Sequence, residues 1–341
     1  MKLVSYCSDD VNEASGLVHG DKVVDLSRAA EHLGVILPNR VADLLRGFEL
    51  GLPGARRVHA ALVAGELDAL AMSLADVTLL APVPHPTSTR DGYAFRQHVA
   101  TARRNRGVEM IPEFDQFPVF YFTNHNATIG GGELVVEDDH LLGLDFELEC
   151  AIVVGRHGRN LTAAEADGYI AGLTIMNDFS ARTLQMEEMK LNLGPAKGKD
   201  FATAIGPWLV TLDELEDRRI RSDEGSRWDL GMRAYHNGEQ ISAGNTKDMN
   251  WTFAQLLERA SYGVDVYPGD VIGSGTVGTG CYLELNGSRR LEAEAKGETY
   301  EPVWLAEGDT IALELDGLGR LEHKVVKVDA SRSLLARKKK V

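Results

Sequence analysis

The 341-residue chain lacks any run of 18 or more apolar residues, the length a membrane-spanning helix requires. Cysteine is scarce: Cys7, Cys150 and Cys281 are too few and too scattered for a disulfide framework or a zinc knuckle, so all three read as core or surface thiols. Positive charge is also short. Lys and Arg number 36 against 51 Asp and Glu, a net charge of −15. That balance argues against nucleic acid or an anionic membrane as partner, because phosphate surfaces call for concentrated cations. It does not argue against a metal, which a local group of carboxylates can hold. The opening MKLVSYCSDDVNEAS is cut off by Asp9 and Asp10 and lacks the apolar centre of a signal peptide, so a cytoplasmic, reducing setting is expected. Walker, G-x-S-x-G and H-E-x-x-H motifs are absent.

What is present divides the chain in two. Residues 1–78 read as a small α/β unit. It has β-like runs KLVSYC and KVVDL around GLVHGD, and helical spacing over 40–48 and 54–72, with Gly51, Pro53 and Gly54 as the break. Pro82, Pro84 and Pro86 mark a boundary, and residues 79–341 form the second unit. Here strand-like runs dominate: FPVFYF, GELVVE, FELECAIVVG, YIAGLTIM, PWLVTL, DLGMRAYHN, GDVIGSG, CYLELNG and DTIALEL. Helices are expected only around 92–104, 163–167, 213–216 and 251–260. Strands do not alternate regularly with helices, so the expectation is an α+β, mostly β fold rather than a doubly wound sheet. The Lys338–Lys339–Lys340 run reads as a solvated tail. Gly273–Gly278 spells G-x-G-x-x-G, but the following TGCYLELNG reads as a strand, where a dinucleotide loop needs a helix.

Three segments place polar residues where packing alone would not. In LDFELECAIVV, strand alternation puts Asp145, Glu147 and Glu149 on one face of a segment that then becomes fully apolar. Acids entering a buried strand call for a cation; a solvent-facing strand side is the plain alternative. In IMNDFSARTLQ, a helix beginning at Asn177–Asp178 would align Asp178, Arg182 and Gln185 on one face; an N-cap with an Asp–Arg pair explains them equally well. In TRDGYAFRQH, Asp91 and His98 stand two helical turns apart. Oxygen-rich ligands without Cys or His pairs suit Mg²⁺, Ca²⁺ or Mn²⁺.

Together these segments resemble the fumarylacetoacetate hydrolase family over about residues 80–330, closest to its bacterial fumarylacetoacetase-like branch. The E-x-E pair stands as Glu147 and Glu149, the downstream Asp as Asp178 in MNDFSAR, the upstream Asp as Asp91, and the R-Q-H triplet as Arg96-Gln97-His98. The resemblance implies a divalent metal held by Asp91, Glu147, Glu149 and Asp178, with Lys199 and Thr203 of GKDFAT at the metal. It implies His98 as catalytic base oriented by Glu284, and Arg182, Gln185 and Lys199 as catalytic polar helpers. Tyr93, Tyr121, Gln185 and Thr276 are implied on the substrate side. It also implies a mixed β-sandwich roll catalytic domain, a homodimer and a small keto-acid substrate. Hydrolysis of a carbon–carbon bond in a 1,3-diketone acid, fumarylacetoacetate-like or a related acylpyruvate, is the implied reaction. Decarboxylation, isomerisation or hydration of a 2-oxo acid on the same scaffold is the alternative, and a non-enzymatic metal-stabilised binding protein a further one. Two departures stand out: Met189 replaces a substrate-side tyrosine, and Arg106 is the nearest counterpart of a lid arginine.

Overall fold

The computed structural model describes residues 1–339, except for the side chains of residues 48 and 49; the Lys340 end of the basic run lies outside the described residues. Strands Lys2–Ser8, Val11–His19 and Lys22–Asp25 form an antiparallel ribbon whose tight turn is carried by Gly20 at φ 60°. Asp25 then caps the helix Leu26–His32, its Oδ1 accepting the Arg28 amide at 2.8 Å. The helix Phe48–Val63 runs through Gly51, Pro53 and Gly54, where a break was expected. Those glycines serve close packing instead. A Cβ on Gly51 would collide with the Leu44 carbonyl of the helix Val41–Arg46, and one on Gly54 with the Leu37 side chain.

The larger sheet has 12 strands among the described residues. Its order places Lys2–Ser8 beside Thr203–Thr211, then Ile170–Asp178, Leu148–Val154, Val271–Gly273, Thr89–Gly92 and Phe120–Thr123. The sheet therefore runs from the N-terminal ribbon into the strands of the later chain. A second, 5-stranded sheet contains Gly132–Val136, Gly231–His236, Glu239–Asn245, Thr310–Leu315 and Gly319–Lys327. Leu148–Val154 lies between two cores. Cys150, Ile152 and Val154 face the cluster that holds Leu313 and Val325 of the second sheet, while Ala151 and Val153 face the N-terminal helices' Leu44 and Val58. Two buried faces explain the unbroken apolar run. The fold is mixed α and β, mostly β, as expected.

One expected strand is a helix. CYLELNG opens the helix Tyr282–Lys296, ended by Gly297 in the left-handed region at φ 73°. Cys281 makes no capping bond at its start. The cap comes from far away in the chain: Asp145 accepts the Tyr282 amide at 2.7 Å and the Leu283 amide at 2.9 Å. Nothing local announces such a start. No helix among the described residues is long and apolar enough to cross a membrane.

Candidate active site

The central strands bring the acids together. Asp91 lies one residue before the end of Thr89–Gly92, opposite Gly273, Glu149 pairs with Met176, and Asp178 ends Ile170–Asp178 opposite Thr203. Glu147 is not on the strand with Glu149. The chain breaks at Phe146–Glu147 between Leu144–Asp145 and Leu148–Val154, and the Glu147 amide is held by Asn177 Oδ1 at 2.9 Å. One oxygen each of Asp91, Glu147 and Asp178 lies within 4.8 Å of the others, a group of three that does not include Glu149, and the strand face expected to carry Asp145, Glu147 and Glu149 together does not form. Asp145 leaves the group and pairs with Arg182.

Two cations stand against these acids. Lys199 Nζ donates to Glu147 Oε2 at 2.6 Å and to Asp178 Oδ2 at 2.8 Å. As an ammonium it has no lone pair for a metal, so its place is that of a counter-charge rather than the ligand it was expected to be. Arg182 reaches Asp145 and Glu147, each at 2.8 Å, and Gln185 Oε1 at 3.0 Å. The expected helical face of Asp178, Arg182 and Gln185 does not form. Asp178 closes a strand, and the helix begins at Arg182 because the Asn177–Asp178 segment is consumed by pairing with Thr203–Thr211.

The electrostatics divide the acids. Burial pushes Glu147 up, but Lys199 and Arg182 outweigh it and hold its carboxyl at about 2. Asp91 is pushed up to about 8, first by burial and then by the charge of Asp178. Burial and the neighbouring Asp91 raise Glu149 well above the usual range, and burial raises Asp178 against the pull of Lys199. Glu149 Oε2 and Asp178 Oδ1 are buried without a hydrogen-bond partner. The cradle is tight: a Cβ on Gly273 would meet Asp91 Oδ1 at 2.5 Å and Glu149 Oε2 at 2.9 Å. Crowded, all-oxygen donors with unsatisfied atoms fit a hard divalent cation held by Asp91, Glu147, Glu149 and Asp178.

His98 lies on the helix Arg96–Asn105 and is buried, its Nδ1 2.6 Å from Glu284 Oε2. Glu284, whose segment was expected to be a strand, is 2 % exposed on the first turn of the helix Tyr282–Lys296. Tyr93 stands edge-on to the His98 ring, centroids 6.0 Å apart. Tyr121 donates to Asp178 Oδ2, and its hydroxyl is raised by burial and by that carboxylate. The Thr276 hydroxyl is 3.4 Å from Glu149 Oε1, and Thr203 lies 3.4 Å from the Thr123 hydroxyl. Arg106 turns back onto the Ala102 carbonyl, and Met189 is exposed.

Asp145, grouped by alternation with Glu147 and Glu149, has a role that the sequence does not announce. Fully buried, it joins Arg182, the strand break and the helix carrying Glu284. The glycine loop is also recast. A helix does follow Gly273–Gly278, yet the loop turns inward on the carboxylates. The Gly275 amide donates to Asp91 Oδ1 at 3.1 Å, and Gly275, at φ 78°, has no room for a Cβ beside the Gly92 carbonyl.

Comparison with known proteins places this arrangement. Residues 87–326 match the model of the fumarylacetoacetate (FAA) hydrolase C-terminal family. The oxaloacetate tautomerase YisK of Bacillus subtilis (strain 168) is 27% identical over 318 residues, covering 91% of this chain and 94% of that protein. Maleylpyruvate hydrolase of Aquipseudomonas alcaligenes is 30% identical over 273 residues, covering 76% and 86%. The crystal structure of maleylpyruvate hydrolase from Sphingobium sp. SYK-6 in complex with manganese(II) ion and pyruvate superposes with a TM-score of 0.65 at 22% identity, over 96% of this chain and 99% of that one. The match spans every strand that carries the acids, and the chain belongs to the fumarylacetoacetate hydrolase family.

Proposed function

We propose that the protein is a divalent-metal-dependent enzyme that hydrolyses a carbon–carbon bond of a short 1,3-diketone acid, fumarylacetoacetate or a related acylpyruvate. The observation that carries this reading is the buried His98–Glu284 pair, 2.6 Å apart. An imidazole fixed by a carboxylate is a general base beside an acid-lined cation cradle. A cation bound by Asp91, Glu147, Glu149 and Asp178 (Mg²⁺, Ca²⁺ or Mn²⁺) supplies Lewis acidity toward keto oxygens; the manganese of the Sphingobium structure supports that choice.

In this reading His98 takes a proton from water while Glu284 steadies the imidazolium. Water then attacks the carbonyl. Gln185, its Oε1 committed to Arg182, has its amide N–H groups left to donate to the developing oxyanion. Arg182 and Lys199 contribute positive charge beside it, and each such donor is worth roughly 3–4 kcal/mol. Tyr93, Tyr121 and Thr276 orient the substrate. The proton on His98 passes to the leaving carbon, and the products are a carboxylic acid and a keto acid. With a net charge of −15 the partner is a small molecule rather than nucleic acid or a membrane, and the working form is read as a cytoplasmic homodimer with residues 1–78 as its smaller domain.

A second reading is tautomerisation of a 2-oxo acid. It is favoured by relatives named oxaloacetate tautomerase that cover most of this chain, and the same pair can move a proton without breaking carbon–carbon bonds. Acylpyruvates, fumarylacetoacetate and oxaloacetate assayed side by side in ¹⁸O-labelled water separate the two. Label in a released carboxylic acid is expected. Proton exchange on oxaloacetate with no cleavage of any diketone acid would replace hydrolysis by the second reading. His98→Ala is expected to lower kcat by about 10²–10⁴ while leaving metal binding intact. Retention of more than about a tenth of the rate would remove His98 from the role that general-base catalysis gives it.

A further inference from the structure

Cys281 plays no part in the chemistry above, yet it lies at the base. Ligand atoms of His98, Cys281 and Glu284 are all within 4.8 Å of one another, and the residues are 8%, 1% and 2% exposed. We propose that these three side chains form a second metal site, for a borderline-soft divalent cation such as Zn²⁺, and that filling it switches the enzyme off.

The donor set argues for this ion class. Nitrogen, sulfur and carboxylate oxygen are the ligands of zinc sites, whereas the neighbouring cradle of Asp91, Glu147, Glu149 and Asp178 offers oxygen alone. The two sites thus divide ions by chemistry. Charge also closes. A thiolate and a carboxylate balance a dication, the imidazole stays neutral, and no net charge is left buried; the thiol proton leaves to solvent on binding. Metal–ligand bonds of about 2.0–2.3 Å need ligand atoms about 3–4 Å apart. The pair His98 Nδ1 and Glu284 Oε2 at 2.6 Å opens modestly, and the ion takes the place of the proton between them. The sulfur makes no capping bond to the helix it precedes, since Asp145 caps the first amides instead. Removing it therefore leaves the helix start in place.

Binding rests on geometry alone; the inhibition rests on the reading of His98 as base. The experiment keeps them apart. The Mg²⁺-loaded protein is titrated with Co²⁺, followed by absorbance, and with Zn²⁺, followed by turnover. A near-ultraviolet sulfur-to-cobalt charge-transfer band is expected, together with loss of turnover as Zn²⁺ binds. Cys281→Ser is expected to abolish the band, keep Mg²⁺-supported turnover, and raise the Zn²⁺ concentration for half-inhibition by about 10-fold or more, at least the effect of losing a group that only orients a metal ligand. Cys281→Ala carries the same expectation should the serine variant fold poorly. Absence of the band, or unchanged Zn²⁺ sensitivity in both variants, overturns the site. A cysteine-dependent band with turnover untouched keeps the site but overturns the switch and the role of His98.

Discussion

Two groups of carboxylates in this molecule are treated in opposite ways. Near the C-terminal end, Glu137 Oε2 accepts the Arg332 amide at 2.7 Å and the Ser331 hydroxyl at 2.9 Å. Asp139 accepts the Ser333 hydroxyl at 2.7 Å, the Leu335 amide at 3.0 Å and the Leu334 amide. Those donors hold both carboxyls below their usual values; for Asp139 they outweigh burial, which acts the other way. In the cradle, Glu149 and Asp178 each keep an oxygen with no partner, and burial drives them up. The residue types are the same. The burial differs, since Glu137 is only half-buried while Glu149 and Asp178 are fully enclosed, and so does the supply of N–H and O–H donors. A clamp fills its acceptors with the chain itself, whereas a site withholds donors and leaves its oxygens to a ligand.

The contrast can be broken most sharply at an orphan atom that belongs to neither group. His323 is buried on Gly319–Lys327. Its Nε2 donates to the Gly130 carbonyl at 2.8 Å, its Nδ1 has no partner, and burial lowers it to about 4. The unfolded chain takes up the proton first as pH falls. Stability from this group is therefore full above pH 6.5 and lost progressively toward pH 4, by about 3 kcal/mol. Urea unfolding across this range should show the loss in the wild type and much less of it in His323→Gln. An unchanged acid slope in the variant would mean that an orphan atom carries no such cost here.

Glu149→Gln tests the cradle. Saturating Mg²⁺ at 100 times its Kd should stabilise the wild type by about 2.7 kcal/mol and the variant hardly at all. Without metal the variant should melt higher than the wild type, because a carboxyl that burial and Asp91 force to stay protonated, at a cost in stability near neutral pH, is gone. A variant that still responds fully to Mg²⁺ would remove Glu149 from the metal's ligands. Asp139→Asn should move stability the other way, losing about 1–2 kcal/mol as the charge-assisted bonds from the Leu334 and Leu335 N–H groups become neutral ones. Calorimetry on the pair of variants reads both signs, and equal signs would dissolve the distinction between clamp and site.

Much of the site was legible in the residues. Glu147, Glu149 and Asp178 stand out because acids flank apolar strand runs, Asp91 only through the family resemblance, and most strand segments lie where period-2 alternation put them. Glu284 was harder. A helix in place of the expected strand carries it, and that helix starts on a cap supplied by Asp145 from more than a hundred residues upstream. The break at Phe146–Glu147 escaped for a similar reason. Alternation assumes an unbroken strand, and only the Asn177 side chain on the neighbouring strand shows where the backbone leaves it. Gly51 and Gly54 read as helix breakers because close helix contact and chain breaking leave the same mark in one dimension.

The residues by themselves determined the β-rich composition, the acidic balance and the presence of acids at the entry to a buried strand, since these follow from local alternation and from the cost of burying charge; which acids belong together came from the family resemblance. Only the tertiary structure decided which partner each acid found. Lys199 stands on Glu147 and Asp178, Arg182 on Asp145 and Glu147, and Cys281 beside His98 and Glu284. Hydrogen bonds and ion pairs form through space over a few ångströms, and sheet register, set by many weak contacts together, determines who is within that reach.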